Sequence, residues 1–259
     1  MDLTDFKSND PIAWCPGCGN FGILTGLKRA LVKLGRAPKD ILFVSGIGQA
    51  AKTPHYIRAN CFNGLHGRAL PVAVGAKIAN KALTVIVTTG DGDCYGEGGN
   101  HFIHNIRRNP DITVIVFNNQ VYGLTKGQAS PTTDAGTATK VQPGGVILER
   151  LSPLSLALAA GAGFVARAFS QETGHLADII LAGINYKGFA LIDVLQPCVT
   201  FNKINTYEWY SKRVYKLDDA YNASDLASAF QKSLEWGDRI PIGILYNVLK
   251  QTYEQKANL

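Results

Sequence analysis

Three short runs, Ile41–Val44, Leu83–Val87 and Ile112–Phe117, are apolar without alternation and rich in β-branched residues. Strands that are buried on both faces read this way, whereas a strand with one wet face alternates. Between and before these runs the period changes. Residues 21–34 place Ile23, Leu24, Leu27, Leu31 and Leu34 on one helical face, and Gly35 follows as a stop. Further strands are expected at Val72–Val74 and Ala190–Val194, and helices near 153–160, 173–184 and 223–236. The pattern predicts an α/β fold, a mostly parallel sheet with helices on both faces. Beyond about residue 200 the chain turns polar and aromatic, with Tyr207, Trp209, Tyr210 and Tyr215. The division expected is a body over 1–200 and a C-terminal extension over 201–259, laid on that body or on a partner.

Composition narrows this only slightly. With 259 residues, 46% hydrophobic and 18% charged, the chain is long enough for one large core. Its first ten residues, MDLTDFKSND, carry three acids and no apolar stretch, so a secretory start is not expected and a cytoplasmic location is. The run over 151–166 comes nearest to a membrane span, but Pro153 and its small residues fit a buried helix better. A formal net charge of +6, mostly scattered, gives no nucleic-acid footprint. Five cysteines, an odd number in such a chain, argue against a disulfide framework and turn attention to metal or cluster ligation.

The most informative stretch runs from Leu83 to Thr125: strand, Gly/Asp loop, helix, Asn-Pro break, strand, polar loop. In such a βαβ unit the strands are parallel and both loops leave the same carboxyl edge. Neighbouring strands lie ~4.8 Å apart, so Asp91 and Asn119, distant in sequence, can share one Mg²⁺ that takes its remaining ligands from phosphate and water. The glycines at 90, 92, 96, 98 and 99 let backbone approach a diphosphate, and the helix starting near Gly98 offers its amino end to an anion. Rival readings are weaker. An EF-hand starting at Asp91 would need oxygen ligands where Tyr95 and Phe102 stand. A dinucleotide fingerprint over Gly46–Ala51 lacks the acid that holds a ribose.

Gly90-Asp91-Gly92 followed by Asn118-Asn119 resembles the diphosphate motif of thiamine-diphosphate enzymes. The longer strings GDGDCYGEGGNHFIHNIRRN and NNQVYGLTKGQASPTT are more specific. They resemble the β subunit of 2-oxoacid:ferredoxin oxidoreductases, over WCPGCG to about residue 200. That resemblance implies a thiamine-diphosphate-binding fold and a reaction in which a 2-oxoacid and coenzyme A give acyl-coenzyme A and CO₂ while ferredoxin is reduced. It adds the Val121 carbonyl to Asp91 and Asn119 as Mg²⁺ ligands. It gives the cofactor contacts to Ile47, Gly48, His66, Gly67, Gly90, Asp91, Gly92, Asp93, Asn119, Val121, Tyr122, Gly123, Leu124 and Thr125. Lys52, Leu124 and Lys126 are expected to meet the substrate, since a loop lysine can neutralise its carboxylate. A broad range including pyruvate and 2-oxoglutarate is the expectation. Arg68 reads equally as a cofactor contact or a structural pair, and His101 with His104 as ordinary helix residues.

Cys15-Pro-Gly-Cys18 alone fits zinc, a redox dithiol or a cluster. The resemblance implies a [4Fe–4S] cluster on Cys15, Cys18 and Cys198, with Gln49 at the place of a further cysteine and Cys61 as a possible substitute; Cys94 reads as packing. No carboxylate is left over to activate the cofactor's aminopyrimidine, so a separate α or α–γ chain is expected to complete the site. Two other classes remain open on the residues: a non-oxidative thiamine enzyme that needs no thiols, and a zinc-stabilised binding module built on the CxxC pair.

Overall fold

The computed structural model describes residues 1–259. Its elements in chain order are α1 (Asn20–Leu34), β1 (Ile41–Ser45), β2 (Asn60–Asn63), α2 (Ala69–Ala79), β3 (Thr84–Gly90), α3 (Gly99–Arg108), β4 (Ile112–Asn118), β5 (Val121–Tyr122) and β6 (Gln128–Ala129). There follow α4 (Pro153–Ala159), β7 (Phe164–Phe169), α5 (Thr173–Asn185), β8 (Phe189–Leu195), α6 (Tyr207–Ser211), β9 (Val214–Lys216), α7 (Leu226–Leu234), β10 (Ile240–Asn247) and α8 (Tyr253–Lys256).

Eight strands form one sheet in the order β2-β1-β3-β4-β8-β7-β10-β9. Every neighbouring pair is parallel except β10 with β7. The unbroken apolar runs are explained by double coverage. Along β4, Ile115 and Phe117 join a core built with α1 and α5, while Val114 and Val116 join a second core built with α2, α3, α4 and α7. Side chains alternate between faces along a strand, so a strand covered twice must be apolar throughout. All seven residues of β4 are buried accordingly.

Val72–Val74, expected as a strand, lies within α2. The run Ala69–Ala79 is too short and too uniformly apolar for periodicity to separate helix from strand, and Pro71 sits in the first helical turn, where a missing N–H costs nothing. The segment after residue 200 supplies β9 and β10 to the main sheet, and α7 packs against α4. The β3–α3–β4 unit has the expected parallel register, with Gly90 level with Phe117. That register fixes the site, because Asp91 and Asn119 then leave adjacent strand ends one residue apart. No helix is long and apolar enough to cross a membrane.

Candidate active site at the carboxyl edge of the sheet

β1, β3 and β4 end at Ser45, Gly90 and Asn118 and release their loops on the same edge. These loops enclose a cavity of about 550 Å³. Its wall contains Ile47, Gly48, His66, Gly90, Asp91, Gly92, Asp93, Asn119, Val121, Tyr122, Gly123, Leu124 and Thr125. All but one of the expected cofactor contacts are thus gathered from four separate stretches of chain. Gly67 stands behind the wall, and Lys52 and Lys126 are outside it. Lys52 Nζ lies 3.4 Å from the Ala13 carbonyl, and Lys126 is exposed at a left-handed φ of 79°.

The loop after β3 begins as a single turn of π-helix, in which the Gly98 amide donates to the Asp93 carbonyl at 3.0 Å. Such wide turns recur at functional sites because they re-aim side chains that an α-helix would stack. Asp91 and Asp93 are thereby aimed in different directions. Asp93 is turned into the protein: Oδ1 accepts from the amides of Gly67 (2.7 Å) and Ile47 (3.2 Å) and meets His66 Nδ1 at 2.6 Å. Its Oδ2 accepts from Thr89 Oγ1 at 2.6 Å. One carboxylate therefore ties the loops after β1, β2 and β3 together and fixes the His66 ring. Nε2 of that ring is 3.3 Å from Glu97. Gly46 is obligatory for this arrangement, since a Cβ there would collide with the Asp93 carboxylate.

Asp91 is 1% exposed and uses only one oxygen inside the protein. Its Oδ2 accepts from Ser130 Oγ at 2.5 Å and Thr132 Oγ1 at 2.6 Å. Burial, with Asp193 adding like charge, pushes its carboxyl up to about 6 against the two hydroxyls that lower it. A buried carboxylate with one engaged oxygen and a raised pKa is a group short of a counter-ion. Asn119 Oδ1 accepts from the Val121 amide at 3.0 Å, which holds the amide side chain over the start of β5. At Gly90 a Cβ would meet nothing within 4 Å, so the cavity floor is left clear. One hard anionic oxygen, one amide oxygen and an open glycine floor fit a Mg²⁺-diphosphate.

A second cavity of about 370 Å³ adjoins the first and is lined by Cys15, Cys18 and Cys198 together with Trp14, Asn20, Gln49, Asn119 and Gly123. The cysteine pair is built by a turn: the Cys18 amide donates to the Cys15 carbonyl at 3.0 Å, with Pro16 second and Gly17 third at φ 80°. That is the sequence preference of a type II turn. The Gly19 amide bonds the Pro197 carbonyl at 3.2 Å, which brings Cys198 to the pair. Gln196 Nε2 donates to Cys18 Sγ at 3.4 Å. Burial pushes the Cys18 thiol up to about 11, with the other two cysteines adding to the rise. Cys61 is exposed on the edge strand β2 and does not line this cavity, and Cys94 is buried in the core. No three His, Cys, Asp or Glu side chains converge on a single-ion position.

Several contributors are absent from the sequence expectations. Ser130 and Thr132 lie in the loop after β6, and nothing in their spacing points to Asp91. Behind them Asn118 Nδ2 and Tyr95 O–H donate to the buried Asp193. Arg68 donates to His101 Nε2 at 2.6 Å, a structural contact between the first turn of α2 and α3.

Comparison with known proteins agrees with this geometry. Residues 44–194 match the family described as thiamine pyrophosphate enzyme, C-terminal TPP binding domain, and residues 198–259 match the C-terminal family of the pyruvate ferredoxin oxidoreductase beta chain. The 2-oxoacid:ferredoxin oxidoreductase subunit beta of Saccharolobus solfataricus is 51% identical over 257 residues, covering 94% of this chain and 84% of that one. Subunit beta of 2-oxoacid:ferredoxin oxidoreductase 1 from Aeropyrum pernix is 48% identical, covering 94% and 80%. The solved 2-oxoglutarate:ferredoxin oxidoreductase from Magnetococcus marinus, with 2-oxoglutarate, coenzyme A and succinyl-CoA bound, superposes with a TM-score of 0.97 at 37% identity. It covers 100% of this chain and 89% of its own. These matches run through both the cofactor loops and the C-terminal strands, and the chain belongs to the β-subunit family of the 2-oxoacid:ferredoxin oxidoreductases.

Proposed function

We propose that this chain binds thiamine diphosphate and Mg²⁺ as the β subunit of an αβ complex that converts a 2-oxoacid and coenzyme A to acyl-coenzyme A and CO₂, passing two electrons to ferredoxin. The observation that carries the reading is the single wall on which Asp91, Asn119 and Val121 meet beside an open glycine floor. Asp91, Asn119 and the Val121 carbonyl would hold the metal, and His66, fixed by Asp93, would face the diphosphate. Bound thiamine diphosphate supplies a carbon nucleophile and an electron sink for decarboxylation. The chain's own residues position that group, and the Ser130 and Thr132 hydroxyls favour the ionised form of Asp91 against its burial. Leu124, 46% exposed at the cavity mouth, would meet the substrate. Lys52 and Lys126 would reach it only after a side-chain or loop movement, since both lie outside the wall.

The only carboxylates on that wall are Asp91 and Asp93, one for the metal and one consumed internally. The acid for the aminopyrimidine must therefore come from an α or α–γ partner. In this proposal residues 1–200 carry the cofactor, residues 201–259 pack on that body through β9, β10 and α7, the complex is cytoplasmic, and a cluster on Cys15, Cys18 and Cys198 accepts the electrons. Substrate range is proposed to include pyruvate and 2-oxoglutarate.

The test is anaerobic reduction of ferredoxin by the chain with and without its co-produced partner. Reduction that needs the 2-oxoacid, coenzyme A, Mg²⁺ and both chains supports the proposal. Aldehyde release without an acceptor, or full turnover by the chain alone, contradicts it.

A further inference from the structure

Gln49 lines both cavities, the one lined by Asp91 and Asn119 and the one lined by the three cysteines. Its backbone is fixed: the Gln49 carbonyl accepts from Trp14 Nε1 at 2.9 Å, one residue before Cys15. The side chain runs along Gly123, where an added Cβ would stand 3.7 Å from Gln49 Cγ. Its amide oxygen is buried and has no hydrogen-bond partner. Leaving a buried acceptor unpaired is unfavourable, so an unpaired amide oxygen beside three thiols calls for a partner.

The partner can be identified by the donors. Three thiols are soft ligands suited to iron–sulfur chemistry or zinc. Zinc needs its thiolates ~2.3 Å from one centre, and these cysteines do not converge on a point. A cluster is an extended body whose irons are held at separate corners. Gln196, donating to Cys18 Sγ, supplies the kind of hydrogen bond to sulfur that tunes a cluster.

We propose that Cys15, Cys18 and Cys198 hold three irons of a cluster and that the fourth iron faces the Gln49 amide oxygen, which makes that iron exchangeable. This rests on the cluster included in the functional reading above. A neutral amide oxygen is a weak ligand for iron beside thiolate, so the fourth corner is the one to open. That corner also faces the thiamine side, because Gln49, with Asn20, Asn119 and Gly123, lines both cavities. Mild oxidation has a defined balance: a four-iron cluster of charge 2+ loses Fe²⁺ and gives one electron to ferricyanide, leaving a three-iron cluster of charge 1+. Fe²⁺ with one electron from dithionite reverses it.

The experiment uses the complex with its partner, purified anaerobically, in the wild type, Gln49→Cys and Gln49→Leu. Iron and sulfide are assayed, and EPR spectra recorded, before and after one equivalent of ferricyanide. Wild type and Gln49→Leu should fall from about four irons to about three with sulfide unchanged, and show the three-iron signal. Gln49→Cys should keep all its iron and stay silent. Equal retention in all three proteins, or zinc or no metal in place of iron, overturns the proposal. Thiamine diphosphate binding measured on the same samples reports the functional reading separately. Its loss sinks that reading, whereas normal binding with unaltered iron sinks only the role of Gln49.

Discussion

Thr132 Oγ1 lies 2.6 Å from Asp91 Oδ2, across 41 residues of sequence, and 2.9 Å from Asn118 Oδ1. With Ser130 it occupies one oxygen of the carboxylate and leaves the other toward the cavity. The loop after β6 thereby decides which lone pairs of Asp91 a metal can use.

Replacing both hydroxyls, Ser130→Ala with Thr132→Val, should leave the fold intact and weaken Mg²⁺-dependent cofactor binding by roughly 10–100-fold, the usual cost of losing groups that orient a ligand. Titration of Mg²⁺ against cofactor-induced fluorescence quenching checks this. Unchanged Mg²⁺ affinity would remove these hydroxyls from the site.

Asp91 should destabilise the metal-free protein. Its carboxyl is raised in the folded chain from 3.8 to about 6, so between those values the folded state binds more protons than the unfolded state. Stability of the metal-free chain then falls as pH rises through that window and stays lower above it. Asp91→Asn should abolish this slope and be more stable at pH 7 by on the order of 2 kcal/mol. Denaturation curves at pH 5 and 7 without divalent metal decide the point, and a variant less stable than wild type at pH 7 contradicts it.

Asp93 is predicted to act through His66 and the Ile47 loop. Asp93→Asn keeps the size but replaces an acceptor oxygen with a donor, against groups that include two backbone N–H donors. Cofactor affinity should drop about tenfold or more, and the loops after β1 and β2 should gain amide exchange. Hydrogen exchange confined to residues 46–48 and 64–67 is the expected signature.

Arg167 on β7 is 3% exposed and donates to the Ser233 carbonyl at 3.0 Å, with its charge beside the buried Asp193. Burial pushes its guanidinium down to about 10, still protonated at neutral pH. Of the two arginines whose charge favours the ionised Asp193, Arg167 acts more strongly than Arg150. Arg167→Met should cost roughly 3 kcal/mol by removing the stronger cation from a buried carboxylate, lowering Tm by about 6–12 °C. A calorimetric scan of the complex measures it.

The central part of the fold was legible because β3, α3 and β4 announce themselves by two apolar runs around a glycine-aspartate loop. Two later strands were not. Arg167 interrupts the apolar pattern of β7, and Pro241, a φ of 144° at Gly243 and a register shift after Ile244 obscure β10. β2 is exposed along its whole length and reads as loop. At the site, Asp91 and Asn119 were readable because strand ends in a parallel unit must adjoin. Ser130, Thr132 and Asp193 were not, since each depends on a loop path that local sequence does not encode.

One metal shared by Asp91 and Asn119 is the central claim, and calorimetric titration of thiamine diphosphate into the complex tests it most directly. Binding should require Mg²⁺, vanish in Asp91→Asn and weaken strongly in Asn119→Ala. Equal heats with and without Mg²⁺, or unchanged affinity in both variants, would contradict it.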